Sequence, residues 1–269
     1  MASGLWEHPD WARQKALQEN KDSDDDGDDN ENTGIEYTDL DIINDWVVKL
    51  TFEKVINNQI ESFTGSGFFL NVPNINDKYV ILTTAHNLIS NGIRTLNLKV
   101  IYNNPFQVDP VHPDKVIFAN DKKPAIIELP VDNTDKSVNV HICEAYNSET
   151  GLPLHDYAVI CIPRTSKGQQ RGFGFSLKLA YKKSFKGNIY ISGFMGKIPK
   201  TLRPFTSSAF NMTYHEHHVG YHATAEVGMS GSPVWIEYKG YPTVVAIQLR
   251  PTRTSRVNLC LLTLHIQQQ

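Results

Sequence analysis

From about Tyr37 to its C-terminus the chain is written in short apolar runs, rich in Val, Ile, Tyr and Phe and separated by Gly, Pro, Asn or Asp. Runs of roughly 5–7 residues bounded in this way read as β-strands, because branched and aromatic side chains pack well on a pleated surface. The strands expected in the first part are Trp46–Phe52, Gly67–Val72, Tyr79–Thr84, Leu96–Tyr102 and Tyr157–Ile162. Leu177–Tyr181, Asn188–Ser192, Pro233–Tyr238, Thr243–Leu249 and Asn258–Leu264 follow. No long segment carries the periodicity of an amphipathic helix. The pattern predicts an all-β domain over residues 37–269, built as a sandwich or a barrel arrangement.

Residues 1–36 read differently. Trp6–Gln18 (W-E-H-P-D-W-A-R-Q-K-A-L-Q) predicts a short helix capped by Asp10 after Pro9. Asp22–Glu31 then holds six Asp and one Glu, a run of like charges that predicts a solvated, disordered linker. Its D-x-D-x-D-G opening imitates a calcium loop, but Asp29 and Thr33 stand where such a loop needs an aliphatic residue and a Glu. The calcium reading fails on those two positions.

Composition narrows the function classes. With 40% hydrophobic and 20% charged residues in 269, the chain is globular and neither collagen-like nor mainly disordered. No apolar run approaches the roughly 20 residues of a membrane-spanning helix. Met1–Asn20 has no apolar core of the signal-peptide kind. The net charge is −3; apart from the acidic run, 22 acids face 26 bases, far from the basic balance of a nucleic-acid binder. Cys143, Cys161 and Cys260 are odd in number and widely spaced, which argues against a disulfide framework and for an intracellular, reducing compartment. Each lies in or near an apolar run, as a small buried hydrophobe would.

Three segments carry chemistry. T-T-A-H-N at Thr83–Asn87 follows an apolar strand and is preceded by G-S-G-F-F-L at Gly65–Leu70. H-D-Y-A-V-I at His155–Ile160 puts an Asp at the mouth of a buried strand. G-M-S-G-S-P-V-W at Gly228–Trp235 is a glycine-rich turn leading into another strand. A serine hydroxyl is a poor nucleophile at neutral pH and needs an imidazole to remove its proton. The imidazole needs a carboxylate to fix its tautomer, and the developing oxyanion needs converging N–H groups. Ser230 is therefore expected as nucleophile, His86 as general base and acid, and Asp156 as orienting carboxylate. Residues 228–230 (Gly228, Met229, Ser230) are expected as the oxyanion turn, with the Gly228 and Ser230 N–H groups as its donors. Asp109, Asp114, Asp121, Asp132 and Asp135 sit in polar, turn-rich text, whereas Asp156 opens a buried run.

With these residues in the order His, Asp, Ser, the chain resembles the chymotrypsin-like (trypsin-fold) serine proteases. G-S-P-V, with I-S-G-F at Ile191–Phe194, is most similar to the glutamyl-endopeptidase branch. The resemblance covers roughly Asp39 to Ile266 and implies two antiparallel six-stranded Greek-key barrels with the site in the crevice between them. It also implies a serine endopeptidase needing no metal or organic cofactor, with a polypeptide as its partner and neither nucleic acid nor membrane. The 70 residues from His86 to Asp156 are more than such proteins usually have, so an inserted hairpin or loop is expected within Asn103–Thr150.

By the same resemblance Ala225 and Gln248 stand where glutamyl endopeptidases have a Thr and a His against the substrate carboxylate, so glutamate specificity does not carry over. The stretch around Gln248, Leu249 and Arg250 is expected as the edge on which an extended substrate pairs. Arg250, Arg253 and Arg256 either receive an acidic side chain or are solvated loop arginines. In Tyr214–His218 (Y-H-E-H-H), His215 and His217 would share a strand face. Zinc needs three or four ligands and no second pair follows, so a polar loop near the cleft is the better account. Two rivals remain: a catalytically silent binding or signalling module on this fold, and a regulated protease held inactive by residues 1–34, with a regulatory partner expected for that segment.

Overall fold

The computed structural model describes residues 43–73, 75, 77–103, 106–108, 116–118, 124–129, 139–147, 153–164, 172–175, 186–196, 204–215, 218–221, 225–238, 240–251 and 258–261. The helix expected at Trp6–Gln18, the acidic run and the strand expected at Leu177–Tyr181 lie outside these residues.

The described chain is almost entirely β. Its first half contributes β1 (Val47–Ile56), β2 (Gln59–Leu70), β3 (Lys78–Thr83), β4 (Ile89–Ser90), β5 (Ile93–Arg94), β6 (Leu96–Asn103), β7 (Phe106–Val108), β8 (Val116–Phe118), β9 (Pro124–Glu128), β10 (Asn139–Ile142) and β11 (Ala158–Pro163). The second half contributes β12 (Gly174–Phe175), β13 (Lys186–Gly193), β14 (Phe205–His215), β15 (His218–Tyr221), β16 (Pro233–Tyr238), β17 (Tyr241–Pro251) and β18 (Asn258–Leu261). A single helical turn, α1 (Ala85–Leu88), follows β3.

The first sheet is antiparallel in the order β10-β11-β3-β2-β1-β6-β9. The second runs β12-β17-β16-β13-β14-β15-β18, and β18 pairs β17 as well. Six strands thus close a ring, and β12 attaches to it parallel to β17. The first sheet carries seven strands, of which β6, β9 and β10 come from the long interval between His86 and Asp156. The same interval supplies the β7–β8 hairpin, a two-stranded sheet of its own, where an insertion was expected.

The apolar runs are continuous because most of these strands are buried on both faces. On β1, Val48, Leu50 and Phe52 enter the core of the first barrel, while Val47 joins Trp46 on the opposite side. On β3, Ile81 faces that core, while Val80 and Leu82 face the seam between the sheets. The second sheet contributes Trp235, Val244 and Ile247 to the seam, and Phe194 joins them just after β13. Phe173 lies across it, with ring centroids 5.4 Å from Trp46, 5.7 Å from Phe68 and 6.0 Å from Trp235. A third cluster of Ile189, Ile191, Tyr221, Met229, Val234, Ile236 and Ala246 fills the second barrel. Burying each large side chain stabilises by about 1.5–3 kcal/mol, so the seam fixes how the ends of β3, β11 and β16 face each other.

Candidate active site

His86 sits on α1, which the chain enters at Thr84 in an extended conformation directly after β3. Asp156 follows a 3-10 turn at Pro153–His155 and precedes β11, whose Ala158 pairs with Thr83. This register carries the two ends together. Asp156 Oδ1 accepts the backbone N–H of His86 at 2.9 Å, and Oδ2 lies 2.6 Å from its Nδ1. An ionised carboxylate only accepts, so Nδ1 carries the proton and Nε2 is left as the proton acceptor. The Asp156 side chain is 6% exposed and that of His86 is 14% exposed, so the carboxylate lies behind a ring that still meets solvent. Tyr157, next in sequence, has its pKa pushed up to about 12, chiefly by a hydrogen bond with Cys143 and then by burial. It therefore adds no second anion beside Asp156.

Ser230 lies on the turn between Ala225 and β16. Gly228 and Gly231 flank it with φ of +98° and +89°, a region that an L side chain enters only with strain. Gly196 N–H donates to Val227 O at 2.7 Å, and Ser232 N–H donates to Met229 O at 3.0 Å. Peptides are planar and trans, so the N–H groups of Gly228 and Ser230 point the opposite way from those two held carbonyls. Met229 differs from its neighbours: its N–H donates to Glu226 O at 3.0 Å, and its side chain is fully buried in the second barrel. It shapes the turn and offers it no donor.

The two halves meet at this turn. Asn87, the neighbour of His86, donates from Nδ2 to Ser230 O at 2.9 Å, and Ser66 N–H donates to the same oxygen at 2.8 Å. The Ser230 hydroxyl itself donates to Leu249 O at 2.7 Å. Lys54 donates from Nζ to His86 O at 2.8 Å and lies 5.3 Å from the Phe52 and Phe63 ring centroids.

The expected specificity residues divide. Ala225 is half-buried against the second-barrel cluster. Gln248 is buried, and its Oε1 accepts the Tyr221 hydroxyl. Leu249 is buried and presents its carbonyl to Ser230. Arg250 pairs with Leu259 in β18, and 252–257, with Arg253 and Arg256, lie outside the described residues. β17 is not an edge strand here, because β18 closes the barrel along Ile247–Pro251. Its ladder with β16 ends at Ile247, however, so the side turned toward Ser230 continues past its partner. His215 ends β14, while His217 and the five rival aspartates lie outside the described residues.

No protein-family model matches the sequence, and no curated protein matches it. Solved structures do match in fold. A thermostable serine protease from an extremophilic microorganism is 13% identical with a TM-score of 0.52, over 81% of this chain and 91% of that one. HL collagenase is 14% identical with a TM-score of 0.55, over 81% and 89%. The fold is that of the trypsin-like serine proteases. A Glu endopeptidase solved with MPD is among the neighbours, at 16% identity and a TM-score of 0.54 over 86% of this chain and 91% of that one.

Proposed function

We propose that the protein is a serine endopeptidase in which Ser230, His86 and Asp156 act as nucleophile, base and orienting carboxylate. The observation that carries this reading is the double hold of Asp156 on His86, which leaves Nε2 as the acceptor for a serine proton. Rotation about χ1 takes the Ser230 hydroxyl from Leu249 O toward His86, a change between staggered wells. His86 then takes the proton as Ser230 Oγ attacks the peptide carbonyl, and the Gly228 and Ser230 N–H groups receive the oxyanion. Each such donor contributes about 3–4 kcal/mol to the transition state. His86 returns the proton to the leaving amine, and water activated by the same ring hydrolyses the acyl-enzyme. An extended substrate strand would pair with the side of Leu249–Pro251 that continues past β16.

The resting contact of Ser230 with Leu249 O favours a second reading, a silent binding module on the same fold. One experiment separates the two: full-length protein is treated with diisopropyl fluorophosphate and digested against a peptide library. Labelling at Ser230 with cleavage, both lost in Ser230→Ala and His86→Ala, is expected. Absence of label and cleavage, or label on another residue, overturns the protease reading.

A further inference from the structure

The residues that fasten the Ser230 turn come from the opposite barrel, and they form one connected set. Ser66, on β2, is fully buried and makes a contact with every polar group it owns. Its N–H donates to Ser230 O at 2.8 Å, and its carbonyl accepts the Thr83 hydroxyl at 2.7 Å. Its own hydroxyl accepts the Phe194 N–H at 2.9 Å and donates to Gly228 O at 2.9 Å. Asn87 Nδ2 reaches both Ser230 O, at 2.9 Å, and Thr83 Oγ1, at 3.2 Å. Thr83 ends β3 and Asn87 lies on α1, so the elements that deliver His86 hold the Ser230 carbonyl through Asn87 and brace, through Thr83, the Ser66 that holds Gly228 O.

We infer that Ser66, Thr83 and Asn87 form a hydrogen-bonded clamp that sets the Ser230 turn against His86, making them positioning residues of the reaction. The inference rests on the proposed protease reading. The clamp fixes the Gly228–Met229 and Ser230–Gly231 peptides, which stand on either side of the peptide that carries the Ser230 N–H, and so holds the Ser230 backbone in place against His86. Buried polar networks of this kind hold one geometry because every member is matched.

Gly65 offers a way to disturb the clamp without deleting any of its groups. A Cβ added there would lie 2.6–2.9 Å from the Asn87 amide atoms, which must swing aside. The amide is the end of a side chain, so the fold should tolerate the change. Thr83→Val keeps the shape and loses the hydroxyl, while Thr83→Ser keeps the hydroxyl.

The test measures kcat and KM on a cleaved peptide, the rate of diisopropyl fluorophosphate labelling, and thermal unfolding, on full-length protein. Gly65→Ala and Thr83→Val should lower kcat and the labelling rate together by about ten- to a hundredfold, the scale of a small misplacement of reacting groups. KM should stay within about twofold, and Thr83→Ser should restore most of the rate, which a merely structural loss would not produce. If the wild type is active and folded Gly65→Ala and Thr83→Val keep its kcat and labelling rate, the clamp is overturned and the protease reading stands. If Thr83→Val does not fold, Gly65→Ala alone decides by the same criterion; if both fail to fold, a structural role replaces the positioning role. An inert wild type overturns both readings at once.

Discussion

At the scale of single residues, the pairing of His86 with Asp156 is the feature most sensitive to small chemical change. The carboxylate serves two donors, the backbone N–H and Nδ1, with a different oxygen for each. Asp156→Asn keeps the shape but offers one acceptor and an NH2 group. Either the backbone N–H loses its partner, or the ring accepts from the amide and its proton moves to Nε2, where the serine proton has to go. kcat should fall by about 10³–10⁴ with the fold retained; steady-state kinetics beside a melting curve would show it, and a loss under tenfold would refute the orienting role. The sequence made His86, Asp156 and Ser230 legible as candidates because the proposed chemistry demands those types beside apolar runs. Ser66, Thr83 and Asn87 sat in the same quoted segments, yet their part was hidden. They act through backbone carbonyls as far as 143 and 162 positions away, and no local pattern encodes those contacts.

At the scale of elements, the turn around Ser230 allows no side chain at Gly231. A Cβ there would collide with the Ser66 carbonyl and the Thr83 hydroxyl, at a φ of +89° that is itself strained for alanine. Gly231→Ala should therefore cost at least about 2 kcal/mol, read as a lower urea midpoint at unchanged m. Gly92→Ala is the control, since its φ is +72° and nothing lies within 4 Å of an added Cβ, so it carries the strain alone. Equal losses in the two variants would show that the contact with the first barrel is unimportant. Elsewhere the apolar strands were readable and the polar ones were not. β2 starts at Gln59, ahead of the expected Gly67, and the apolar pattern missed its first part because Gln59–Ser62 is exposed and alternates no apolar face. It is held in register by the β1–β2 hairpin, whose Asn57 and Asn58 take φ of 51° and 62°, the conformation favoured in two-residue hairpin turns. β14, F-T-S-S-A-F-N-M-T-Y-H, is polar enough to escape the same search.

At the scale of the whole molecule, periodicity alone reached an all-β domain, and the two-barrel plan came from the order of the three motifs. Short apolar runs do not say which strands neighbour each other; the seam through Trp46, Phe68, Phe173 and Trp235 decides that, and its partners lie far apart in the chain. The same packing bears on how the N-terminal region acts. Asn32–Glu36 reads N-T-G-I-E, and cleavage after Gly34 would free an α-amino group at Ile35. For such a group to order the nucleophile turn by insertion, a carboxylate would have to wait for it there, since a buried ammonium without a partner is strongly unfavourable. The chain neighbours of Ser230 are Met229 and Gly231, and Met229 is enclosed by Ile189, Ile191, Tyr221 and Val234. The turn is already fastened from the other barrel by Ser66 and Asn87. We therefore expect a chain beginning at Ile35 to show kcat/KM within about twofold of the full-length protein, a ratio worth roughly 0.4 kcal/mol in the barrier. Both forms would be compared on one peptide at equal concentrations of labelled Ser230. An increase above tenfold in the shortened form would restore the zymogen reading and require an anion for Ile35 elsewhere in the fold.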